Sequence, residues 1–86
     1  MIPFWLLWIL NMPKLPSLRP REIISFLKAN GFDLDRVTGS HFIFYNASSR
    51  RRAVISRHDR DIPKGTLISL LREAGFSRED IIKFMD

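Results

Sequence analysis

The chain has 86 residues, 45% hydrophobic and 27% charged, with 14 Lys and Arg against 9 Asp and Glu and no cysteine. A domain of this size buries only about 60–65% of its unfolded surface, so the chain makes one small domain with a thin core. The missing cysteine excludes a disulfide framework, a thiolate metal site and a cysteine nucleophile, and it fits a reducing cytoplasm. The formal charge of +5 and a pI near 10.5 favour a polyanionic partner, nucleic acid before a membrane surface. Ten of the 14 cations are Arg, the residue suited to bidentate phosphate contacts. The same charge also serves solubility.

Residues 1–15 read as an apolar leader, with Ile2, Phe4, Trp5, Leu6, Leu7, Trp8, Ile9 and Leu10 in close succession. The run is too short for a spanning helix, which needs about 20 such residues. It lacks the basic start and small-residue cleavage site of a secretory signal. Met12 opens ordinary domain composition and is read as the true start, with 1–11 an upstream extension. The other reading is a short interfacial anchor carrying both Trp. No stable membrane partner is expected. Residues 16–86 form the single domain.

Residues 13–19 are expected to be extended, because Pro13 and Pro16 fall there. Pro20 suits a first helical turn, and Ile23, Ile24, Phe26 and Leu27 follow at helical spacing. This predicts a helix over 20–30, ended by Gly31 with Phe32 docking behind it. Phe32 to Val37 alternates and predicts a strand, Thr38-Gly39 a hairpin turn, and 41–46 a second strand. In that strand Phe42 and Phe44 share one face while His41, Ile43 and Tyr45 share the other. After the turn Asn46-Ala47-Ser48-Ser49, Arg50-Arg51-Arg52 leads into a third strand, Ala53 to Ser56. A charged loop with His58 follows. From Pro63 the pattern is helical again through Ala74-Gly75. Ser77-Arg78-Glu79-Asp80 then reads as a capping box before a last short helix. The expected fold is α+β: helix, three antiparallel strands, helix, and a short C-terminal helix. Both main helices lie on one face of the sheet, and the other face stays open.

Metal chemistry finds little support, since the two histidines are 17 positions apart and lack the helical i, i+4 spacing of a zinc pair. Lys64-Gly65-Thr66 lacks the upstream glycine of a P-loop. No cofactor is expected. Metal-free acid–base chemistry on RNA remains, because RNA carries its own 2′-hydroxyl nucleophile. Histidine titrates near neutrality, and arginines stabilise the charge that builds on phosphorus. His41 is the candidate catalytic residue and His58 a candidate second acid or base. Arg36, Ser40, Arg50, Arg51, Arg52, Arg57 and Lys64 are candidate RNA-binding residues. Each has a plainer reading. Taken alone, its stretch favours His41 as a surface histidine beside a hairpin; His58 reads also as an ordinary loop residue, and the Arg run as a solvated edge that blocks strand pairing. Lys64-Gly65-Thr66 reads as a helix start or as a phosphate seat at a helix N-terminus.

Four blocks together resemble the HicA toxin family: Arg36-Val37-Thr38-Gly39-Ser40-His41, Val54-Ile55-Ser56-Arg57-His58, Lys64-Gly65-Thr66-Leu67, and Ala74-Gly75-Phe76. The resemblance covers about residues 18–76. It implies a fold like a double-stranded-RNA-binding domain, and a ribosome-independent mRNA interferase serving as the toxin of a type II toxin–antitoxin pair. The family's catalytic histidine lies in its Gly-Ser-His motif, which carries over to His41. The implied partners are mRNA and a HicB-type antitoxin that covers the site; such complexes also repress their own operon. Three departures stand out: Ser56 where a proline is common, a longer tail after Gly75, and the leader. Two other readings compete. A non-catalytic module would read double-stranded RNA by shape, and a protein-interaction domain would use its basic face on an acidic partner.

Overall fold

Two Gly-Phe steps close the main helices in the same way and build the core between them. In the computed structural model, which describes residues 1–6, 15–57 and 60–86, helix α1 spans Pro20–Ala29 and helix α2 spans Lys64–Ala74. Gly31 and Gly75 follow them at φ +87° and +90°, a region where a Cβ would clash and glycine is at home. The next N–H then turns back. Phe32 donates to the Leu27 carbonyl at 3.0 Å, and Phe76 donates to that of Leu71 at 2.8 Å. This is the closure of a Schellman cap, and it swings each Phe inward. Phe76 packs edge-on to Phe26 at 4.8 Å and lies 6.0 Å from Phe32.

Helix α3, Arg78–Met85, starts at the expected signal: Asp80 accepts the Ser77 N–H at 2.8 Å and its hydroxyl at 3.1 Å. It adds buried Ile81 to the core and sets Phe84 edge-on to Phe26 at 5.3 Å.

The sheet contains β1 (Asp33–Thr38), β2 (His41–Asn46) and β3 (Arg51–Ser56), antiparallel in that order. Phe42 lies opposite Ile55 and Phe44 opposite Ala53. Phe44, Ala53 and Ile55 are buried with Ile23, Phe26, Leu27, Leu67, Leu70 and Leu71, so both main helices cover the same face. The expected α+β arrangement, like a double-stranded-RNA-binding domain with a short C-terminal helix, is the observed one. Cover is incomplete at β1. Leu34 and Val37 pair with Phe44 and Phe42, yet they are 48% and 47% exposed.

Boundaries moved where pairing overrode local pattern. The third strand starts at Arg51 rather than Ala53, because Arg51 and Arg52 pair with Asn46 and Tyr45. The first hairpin turns on Gly39-Ser40 rather than Thr38-Gly39, because Thr38 pairs with His41. Leu15, the last residue of the expected leader, is buried with Leu18 in the core. Residues 4–6 are helical, with Phe4 and Trp5 exposed. Met12, the proposed start, and Trp8 lie outside the described residues, as does His58. Among the described residues no helix is long and apolar enough to cross a membrane.

Phe26 sits at the centre of the aromatic cluster, so Phe26→Ala should cost about 3–5 kcal/mol, the usual range for a buried ring. Leu34→Ala, at a half-exposed site, should cost less than about 1 kcal/mol. Urea unfolding midpoints check both. Equal shifts would mean that the rings do not hold the helical layer.

Candidate active site

Strand alternation builds the open face. With Phe42 and Phe44 turned to the helices, His41, Ile43 and Tyr45 take the other side. Register then assigns their neighbours. His41 lies between Thr38 and Ser56, Ile43 between Arg36 and Val54, and Tyr45 between Asp33 and Arg52. The face therefore has three rows: an imidazole flanked by two hydroxyls, an apolar pair beside an arginine, and an aromatic ring beside an arginine and carboxylates.

His41 opens β2 directly after the turn and is exposed. Gly39, at φ +56°, begins that turn. The Ser40 carbonyl accepts the Arg57 N–H at 2.7 Å, which ties the turn to the end of β3. The histidine thus stands at the mouth of the sheet on a braced hairpin. No hydrogen bond to its imidazole comes from the described residues.

The expected cations scatter. Arg36 faces the open side, one row in from His41. Arg52 faces it two rows in, its guanidinium 4.9 Å from the Tyr45 ring centre and 3.5 Å from Asp35. A bulge between Leu34 and Arg36 places Asp35 within that reach. Arg51 belongs to the helix face, where it donates to the Glu73 carbonyl at 3.3 Å at the negative end of α2. Its side chain crosses Gly75 so closely that a Cβ there would lie 2.8 Å from Arg51 Cδ. Arg57 lies 5.5 Å from the Phe42 ring, near the mouth. Arg50 is at the far end of the sheet, in the β2–β3 turn, at φ +59°. Lys64 is exposed at the start of α2. The three consecutive arginines therefore occupy three different environments.

Tyr45, Asp35 and the flanking hydroxyls of Thr38 and Ser56 were not among the expected site residues. Counting back from the turn that joins Asn46 to Arg51 pairs Tyr45 with Arg52, so this signal was present. Asp35 depended on a bulge that the alternation hides. Among the described residues no three His, Asp or Glu side chains gather as a metal site. A cleft of about 480 Å³ opens at the outer edge of β3, lined in part by Ser56, Ile62, Pro63, Thr66 and Leu70. His41 is not in its lining.

Residues 20–76 match the family model for the HicA toxin of bacterial toxin–antitoxin systems. The chain belongs to the HicA toxin family. The match spans both main helices, all three strands and the hairpin that carries His41. Comparison with curated proteins gave no match. Membership makes this chain the toxin component of a toxin–antitoxin system, with an antitoxin as partner.

The two neighbouring arginines should separate in a stability measurement. Arg51→Ala loses the contact with the end of α2 and should lower unfolding free energy by about 0.5–1.5 kcal/mol. Arg52→Ala removes an exposed pair and should stay within about 0.5 kcal/mol of wild type. Equal losses in urea unfolding would refute the division.

Proposed function

We propose that this HicA toxin is a metal-independent endoribonuclease acting on mRNA in the cytoplasm, with His41 as general acid or base. The observation that carries this reading is the position of His41, exposed on the open face at the mouth of the sheet, between two hydroxyls and one row from Arg36. RNA laid across this face meets an imidazole, two hydroxyls on the strands beside it and a guanidinium in the neighbouring row.

The chemistry needs little else. In one half-reaction a base takes the proton from the 2′-hydroxyl, O2′ bonds to phosphorus, and the bond to O5′ breaks. An acid gives a proton to the departing 5′-oxygen. His41 serves in either role, which is typically worth about 10²–10⁴-fold. Arg36 offsets the negative charge that grows on the phosphoryl oxygens. Ser40 sits in the turn, and Arg57 and Lys64 supply charge outside the rows, as backbone-phosphate contacts. His58 remains the candidate for the complementary acid or base. Arg50, at the far turn, and Arg51, engaged with α2, are set farther from the reacting phosphate. The antitoxin is of HicB type, and it neutralises the toxin by covering this face.

His41→Ala should lower RNA cleavage by about 10²–10⁴-fold and abolish growth arrest, with its thermal unfolding unchanged. A substrate methylated at the 2′-oxygen of the scissile nucleotide should bind and remain uncut. Undiminished toxicity of a folded His41→Ala protein would refute the mechanism; RNA binding without cleavage by the wild type would favour the non-catalytic reading.

Arg36→Ala should weaken RNA binding and reduce the slope of log affinity against log salt by about one unit or slightly less. A salt titration monitored by fluorescence anisotropy checks it. An unchanged slope would remove Arg36 from the phosphate contacts.

A further inference from the structure

We infer that the Tyr45–Arg52 pair seats an unpaired base, so that the open face takes single-stranded RNA in preference to duplex; this rests on the ribonuclease reading of the same face. The Arg52 guanidinium lies over the Tyr45 ring, 4.9 Å from its centre, and one of its nitrogens is 3.5 Å from an Asp35 carboxylate oxygen. Tyr45 is half-buried on the central strand, and so is a stiff platform, while the Arg52 side chain is 56% exposed. An aromatic ring and a guanidinium plane are the two surfaces on which splayed-out RNA bases stack.

The row between Tyr45 and His41 points the same way. It holds Ile43 and Val54, the latter 43% exposed, with Arg36 only at its β1 end. An apolar centre is a poor match for the phosphate rails of an A-form duplex, which is read through backbone and 2′-hydroxyl contacts. It suits the faces of bases that have left a helix. At a strand rise of about 3.3 Å, four residues put Tyr45 about 13 Å from His41. Sheets that read single strands stack about two or three bases over such a face. A base fixed at Tyr45 would set the register of the strand and deliver a phosphate a short distance along to His41. Tyr45 is thus a positioning residue, and Asp35 orients its arginine partner.

The test uses the full chain carrying His41→Ala, so that binding is read without cleavage, and a short oligoribonucleotide with its 2′-hydroxyls intact and one 2-aminopurine. It is offered alone or annealed to its complement. The single strand should bind more tightly, and its 2-aminopurine emission should be quenched on binding. Tyr45→Ala should weaken single-strand binding by about 5- to 150-fold and abolish the quench. Tyr45→Phe should preserve both, which separates stacking from loss of fold. Tighter duplex binding, or single-strand binding unchanged in Tyr45→Ala, overturns the inference. Cleavage of unmodified RNA is read separately. A wild type that stacks bases but never cuts would sink the ribonuclease reading and keep the base site. A Tyr45→Ala protein that binds and cuts like wild type would sink the base site alone.

Discussion

The alternation of one six-residue strand decides what this domain can present. In β2 the side chains that anchor the helices and those that face outward occupy neighbouring positions. Burial of Phe44 against Ala53 and the helices therefore forces His41, Ile43 and Tyr45 to the opposite side. A slip of one residue would exchange the two sets and drive an imidazole into an apolar core. Register is accordingly pinned at the far end. Asn46 accepts the Ser48 and Ser49 N–H groups through Oδ1, at 2.9 and 3.2 Å. Its Nδ2 donates to the Asn30 carbonyl at 3.0 Å. One side chain thus shapes the second hairpin and ties it to the end of α1. The packing of a helix end fixes which face the histidine occupies, five residues away.

A small domain cannot cover everything, and the economy is visible at β1. Two helices shield β2 and β3, while every residue of β1 is exposed. A bare strand edge invites pairing with other chains. Here the edge carries Asp33, Asp35 and Arg36 and is interrupted by a bulge, two of the usual deterrents. The bulge has a second effect, since it brings Asp35 to the Arg52 guanidinium. The feature that protects the edge also orders the outer row of the open face.

Much of this was legible in the residues because the elements are locally consistent. Pro20, Gly31, Pro63, Gly75 and the Ser77–Asp80 box marked the helix ends, and alternation in 41–46 assigned its faces. The four sequence blocks pointed to the family. What stayed hidden depended on contacts distant in sequence. Arg50, Arg51 and Arg52 look equivalent in a row of letters. They separate only because Arg50 turns, Arg51 faces the helices and Arg52 faces out, a consequence of strand period and of where α2 ends. The Tyr45–Arg52–Asp35 cluster required both a register and a bulge, and no periodicity count yields a bulge. The incomplete cover over Leu34 and Val37 likewise follows from helix placement rather than from their hydrophobicity.

The net charge is a weaker guide than it looked. A total of +5 suggests a basic surface, yet the open face offers Arg36 and Arg52 beside Asp33 and Asp35, with an apolar centre. Arg51 compensates a helix end, and Arg57 lies against Phe42. Composition counts charges, whereas the fold decides which of them remain available to a phosphate. On the proposed reading, few cations and an apolar strip would hold RNA loosely and without register by electrostatics alone, and stacking would supply the missing constraint on position. His41 is exposed on that face. On the proposed reading, restraint must then come from outside the fold, from a partner that occupies the face, and a flat sheet with a bare neighbouring edge is a surface that another chain can cover.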